Sequence, residues 1–159
     1  MTPVLLNTAG RIAKRLGVPV HRVRTIVRTH HIIPAAVAAG VRIYDEAAVR
    51  AIRLALARRD RLRRAEYVRS ARRVLVDILL CRSDWPAVAS MDDVRRFHPV
   101  PRDMDPRVLA GVPGVLHRAG LIAPIWHCQT RRPAGHGRWL TVWSLVDRDA
   151  AKAWMKGGR

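Results

Sequence analysis

Acidic residues are scarce in this chain. Ten Asp and two Glu stand against 27 Arg and three Lys, for a net charge of +18. Mixed charges would keep a surface soluble more simply. The imbalance therefore implies a polyanionic partner, nucleic acid before an acidic membrane surface, although a GC-rich genome would also raise Arg over Lys. Cysteine is nearly absent: Cys81 and Cys128 form no C-x-x-C pair. That excludes a disulfide framework and suits a reducing cytoplasm, with the nucleoid as the expected address. No apolar run approaches a bilayer span, so no membrane partner is expected. The opening MTPVLLNTAGR lacks a basic lead-in and has a three-residue apolar run, so a signal peptide is not expected. Neither G-x-x-x-x-G-K-[ST] nor G-x-G-x-x-G occurs, so nothing announces a nucleotide cradle.

Apolar residues make up 49% of the 159, enough to bury the core of one ordinary domain or two small ones. The charge is uneven about Arg73. Residues 1–73 hold 16 Arg and one Lys against four acidic residues, a net +13, and residues 74–159 carry the remaining +5. The first half therefore carries most of the electrostatic footprint.

In that half, Thr8 is placed as an N-cap. Ile12, Ala13 and Leu16 follow as one helical stripe, and Gly17 suits the residue just past a helix end. Pro19 pre-sets the first turn of a second helix. There Val23, Ile26 and Val27 form the buried stripe, leaving His21, Arg22, Arg24, Thr25 and Arg28 for the outer face. Two short helices joined at Gly-Val-Pro match the helix-turn-helix pattern. Ile32-Ile33-Pro34 and the Ala/Gly stretch to Gly40 read as a loop that closes on a short strand, Val41 to Tyr44. Asp45 caps the helical run that follows.

These segments, "TAGRIAKRLGV", "VRTIVRTHHIIP" and "RIYDEAAVRAI" in order, resemble the winged helix-turn-helix of the MerR superfamily and its excisionase-like relatives, over about residues 7–56. The resemblance implies double-stranded DNA as partner, read by the second helix, with the wing touching phosphates. It carries over Arg22, Thr25 and Arg28 as helix contacts, and Arg42 and Tyr44 as wing contacts. His21 and Arg24 join them from the outer face. The sequence departs from the family at Thr25 and Ile26, where aromatics are common, and at His31, where glycine is usual.

Residues 57–73, ARRDRLRRAEYVRSARR, contain no Pro or Gly and read as a basic linker helix. It either lies along a DNA backbone or is an exposed helix partly paired by Asp60 and Glu66. Leu62, Tyr67 and Val68 are too few for a wide core stripe. No heptad persists, so an antiparallel coiled-coil dimer is not expected, and the oligomeric state stays open.

Residues 74–159 read as a second winged-helix-like domain. Val74, Leu75, Ile78, Leu79 and Cys81 give a dense apolar face, broken at Asp84-Trp85-Pro86. Ser90-Met91-Asp92-Asp93 has capping-box form and opens a short helix with Val94 and Phe97 inward. A third helix is expected over about 107–119, starting as late as Pro113 and ending at Gly120. Two strands follow, Leu121 to His127 and Trp139 to Val146, around a basic tip, and Asp147 caps a terminal helix. "HRAGLI" before a basic hairpin resembles, more loosely, winged-helix domains of phage and mobile-element proteins. Arg131, Arg132, His136 and Arg138 are the candidate wing contacts at the tip; in the plainer reading they only keep it soluble. The tryptophans are read as core and strand-packing residues, because a base-stacking platform would need them exposed.

No catalytic constellation emerges. His127, Cys128 and His136 are close in sequence, but neighbouring strand residues point to opposite faces, so no zinc site is expected. Asp92, Asp93, Asp103 and Asp105 invite comparison with a two-metal nuclease. Asp92 and Asp93 read better as first-turn carboxylates, and Asp105 as an N-cap. The expectation is a mainly α protein with small β-wings: two winged helix-turn-helix domains, 1–56 and 74–159, joined by the basic helix 57–73. It binds duplex DNA, needs no cofactor or metal, and is not an enzyme. Its role is transcriptional regulation or an accessory task in mobile-element excision or replication. The alternative is an adaptor whose first domain binds DNA and whose second domain holds a recombinase, polymerase or other replication protein.

Overall fold

A threonine opens the first helix and a glycine closes it. In the computed structural model, which describes residues 7–83, 86–130 and 132–157 apart from the side chain of Ala134, Thr8 Oγ1 accepts from the Arg11 N–H at 3.4 Å. Gly17 takes a left-handed φ of 64° and bonds back to the last turn. Strand β1 (Asn7–Thr8) leads into helix α1 (Ala9–Leu16), and α2 (Val20–Thr29) follows the Gly-Val-Pro turn. The stretch expected as a loop contains a further strand, β2 (Ala36–Ala38), antiparallel to β3 (Val41–Tyr44). Ala39 and Gly40 between them both have positive φ, the geometry of a tight two-residue hairpin turn. The sheet order is β1-β3-β2.

Helix α3 (Glu46–Cys81) runs 36 residues without a break. Asp45 caps it through the Ala48 N–H at 2.7 Å. The stretch expected as a separate linker is its middle, and the chain divides into two compact units between Arg63 and Arg64, inside this helix. Ile12, Ala13, Val23, Ile26, Val27, Tyr44 and the α3 residues Val49, Ile52 and Leu56 form the first core. Residues 57–66 are all exposed. The α3 residues Tyr67, Ala71, Leu75, Val76 and Leu79 then enter the second core.

In unit 2, β4 (Val88–Ala89) precedes α4 (Met91–Phe97), a 3-10 turn (Pro106–Gly111) and α5 (Val112–Arg118). β5 (Ile122–Gln129) and β6 (Trp139–Leu145) form the hairpin, and α6 (Arg148–Gly157) ends the described chain. The second sheet has the order β4-β6-β5, with a bulge between Pro124 and Trp126. Ser90 and Asp93 close the expected capping box. The expected third helix divides: Pro106–Gly111 winds as 3-10 and the α-helix begins at Val112, one residue before Pro113. Arg148 donates to the carbonyls of Leu80 and Arg82, and so satisfies the end of α3. The chain is mainly helical, with two small three-stranded antiparallel sheets.

Three burial expectations are corrected. Phe97, expected inward, is 65% exposed; it is the last residue of a seven-residue helix whose buried position is Val94. Trp126 and Trp139, expected to pack, are 46% and 68% exposed, because the hairpin extends beyond the core that holds its base. Cys81 is exposed, and Val76 joins the core stripe of α3 instead.

Candidate nucleic-acid interface

Burying Val23, Ile26 and Val27 turns the opposite side of α2 outward. His21, Arg24 and Arg28 are exposed there, at i, i+3 and i+7, one stripe of a helix. The helix ends at Thr29, and His31 follows in left-handed backbone, φ 49°. Across from this stripe stands the β2–β3 hairpin. Between them lies an open groove of about 1220 Å³, whose walls include Arg24, Arg28, His31, Val37 and Arg42. Among the described residues, no Asp or Glu lines it. Its size exceeds that of a usual small-molecule pocket, about 300–1,000 Å³, and its cations come from both walls.

The structure treats the other expected contacts of unit 1 differently. Arg22 pairs with Asp60 of α3 and is half-buried, so it faces the helix behind rather than the groove. The Thr25 hydroxyl donates to the His21 carbonyl at 2.9 Å, within its own helix. Tyr44 is 4% exposed and belongs to the core, which corrects its reading as a wing contact. Arg42 and Tyr44 share one face of β3, but Tyr44 pairs with Asn7 at the base and Arg42 sits out towards the turn. His31 is a groove residue that the sequence reading does not include. Helical spacing could not have found it, since it lies beyond the end of α2 in left-handed backbone.

At the foot of unit 1, Asn7 and Arg15 both donate to Glu46 Oε1, at 3.1 and 2.9 Å. The hydrogen bond from Arg15, then that from Asn7, holds the Glu46 carboxyl below its ordinary value. These contacts tie β1 and α1 to the start of α3.

The hairpin tip of unit 2 is held down. Asp92, at the start of α4, accepts from Thr130 Oγ1 and from Arg132 Nε, the latter at 2.6 Å, and Arg95 lies 3.4 Å away. Burial alone pushes the Asp92 carboxyl up. The bonds from Thr130 and Arg132 and the charges of Arg132 and Arg95 outweigh it, so the net shift is downward. Gly135 closes over Thr130, leaving no room for a Cβ. Arg132 is therefore engaged by a carboxylate rather than presented freely. His136 and Arg138 are exposed, and Arg131 lies outside the described residues. Asp93 takes the Ser90 N–H at 2.7 Å and Arg82 at 3.3 Å. Asp92 and Asp93, two of the four carboxylates that invite comparison with nuclease ligands, thus have cationic or hydrogen-bonding partners.

No family model, curated protein or solved structure matches this chain.

Proposed function

We propose that unit 1 is a winged helix-turn-helix that binds double-stranded DNA, with α2 entering the major groove and the β2–β3 hairpin as its wing. The observation that carries this reading is the groove between α2 and the hairpin, lined by Arg24, Arg28, His31 and Arg42 and, among the described residues, by no carboxylate. Arg24 and Arg28 stand on the exposed side of the helix, where an arginine fork meets the guanine edge in two hydrogen bonds. Arg42, out on the hairpin, suits a phosphate. In the same reading unit 2 acts as a second winged-helix domain, with His136 and Arg138 exposed at its tip. The role that fits is transcriptional regulation, or an accessory function in excision or replication of a mobile element.

The test is fluorescence anisotropy with labelled duplexes, one of random sequence and one enriched by selection, titrated across salt. Arg24→Ala or Arg28→Ala should cost about 1–3 kcal/mol on the preferred duplex and little on the random one. Arg42→Ala should weaken both alike. Absence of binding at moderate salt would overturn the reading and favour a protein-interaction module. Equal losses from all three variants would reduce it to non-specific binding.

A further inference from the structure

Unit 2 carries a surface that the duplex reading does not use. We propose that one face of the β5–β6 hairpin binds an unpaired DNA strand, stacking a base on the Trp139 indole. Only the choice of DNA over RNA rests on the reading of unit 1.

The strand register defines the face. Trp139 pairs with Gln129 and Thr141 with His127, so these four side chains share one side of the hairpin. Trp143 continues that side towards the core, half-buried against His117 at 5.8 Å between ring centres. Moving outward, His127 and Gln129 are exposed and Trp139 is 68% exposed. The face thus offers one bare indole beside amide, hydroxyl and imidazole groups that can meet base edges.

The lack of carboxylates on both strands favours a polyanionic occupant. From Pro106 to Val146 the sequence contains no Asp or Glu, but it contains five Arg and three His. Neither strand therefore brings a carboxylate to this face. The opposite side of the hairpin is different. There Trp126 shares a small cleft with Asp92 and Asp93, whose oxygens are already taken by Thr130, Arg132 and Arg82. The bonds from Thr130 and Arg132 to Asp92 also fasten the tip on that opposite side. A stacked duplex shows only base edges in its grooves, whereas an indole needs the face of a base, which an unpaired strand exposes.

All five tryptophans follow Arg64, so tryptophan emission reports unit 2 alone. The full-length protein should show quenched emission when titrated with single-stranded oligodeoxythymidylate. Trp139→Ala should weaken that binding by about ten- to a hundredfold, Trp139→Phe should keep most of it, and duplex binding should be unchanged. Undiminished single-strand binding by Trp139→Ala would overturn the proposal and leave the face to a protein partner. Equal loss of duplex and single-strand binding would also overturn it, since the indole would then act on the fold. Tighter binding of oligouridylate than of oligodeoxythymidylate would overturn the choice of DNA. Loss of duplex binding in Arg24→Ala with single-strand binding intact separates the two proposals.

Discussion

Two residues of unit 1 hold backbone that glycine adopts more easily. His31 has φ 49° and Ala39 has φ 47°. Left-handed backbone costs a residue with a Cβ about 1–2 kcal/mol, whereas glycine there costs only its extra chain entropy, about 0.5–1 kcal/mol. The two positions differ in what they do. His31 lines the groove, while Ala39 only turns the hairpin, next to Gly40. Asn is well suited to the first place of such a turn when Gly follows. Ala39→Asn should therefore stabilise the protein by about 1 kcal/mol and leave duplex binding unchanged. His31→Gly should stabilise it by a similar or smaller amount, about 0.5–1 kcal/mol, while removing a ring from the groove wall. Thermal unfolding followed by far-UV circular dichroism, beside a duplex titration, checks both. A lower midpoint for Ala39→Asn would mean that the turn is not of this kind. His31 also stands where the resemblance leads one to expect glycine, so the departure in sequence coincides with strain in the backbone.

Among the elements, those with strong local chemistry are legible in the sequence and those made by pairing are not. Thr8, Gly17, Asp45, Ser90 and Asp147 announce helix ends by the bonds they make, and each makes them here. β2 is hidden because Ala36-Val37-Ala38 carries little strand preference; it is a strand through its register with Val41–Ile43. β1 and β4 are two residues each and exist only as partners of β3 and β6. Of the groove residues, Arg24, Arg28 and Arg42 can be read from helix spacing and strand position. The diversion of Arg22 to Asp60 cannot, because it joins positions 38 residues apart. Arg132 is a similar case: its partner Asp92 is 40 residues away. That latch has a consequence for acid stability. The Asp92 carboxyl lies below its ordinary value in the folded protein. Its contribution is then complete above the unfolded value and is lost as pH falls through the lowered folded one. Asp92→Asn should be less stable than the parent at neutral pH, and the two unfolding curves should converge in acid. Urea unfolding read by tryptophan emission follows unit 2 and tests this directly. A constant gap down to strongly acid pH would show that the side chain acts by shape and hydrogen bonding rather than by charge.

Over the whole molecule, the division at Arg63 redistributes the charge that the sequence places mostly before Arg73. Residues 1–63 hold thirteen basic and three acidic residues, a net +10, and residues 64–159 hold seventeen and nine, a net +8. Both units are therefore strongly cationic, and part of the excess sits on the exposed middle of α3 at Arg58, Arg59 and Arg61. These arginines line neither the groove nor a core, so they are not placed to read bases. Their effect on a DNA partner is long-range: a cationic field raises the rate of encounter and binds phosphates regardless of sequence. Gln has nearly the helix propensity of Arg, so Arg58→Gln, Arg59→Gln and Arg61→Gln together should leave α3 intact. The triple variant should associate more slowly with duplex DNA. Its plot of log affinity against log salt should be shallower, by about 0.9 for each phosphate that the variant no longer neutralises. The ratio of affinities for preferred and random duplex should stay as in the parent, because the proposed function assigns that ratio to Arg24 and Arg28. Stopped-flow association at several salt concentrations, paired with equilibrium titration of both duplexes, measures all three quantities. A fall in the ratio would assign base recognition to the middle of α3 and move the reading surface beyond the groove.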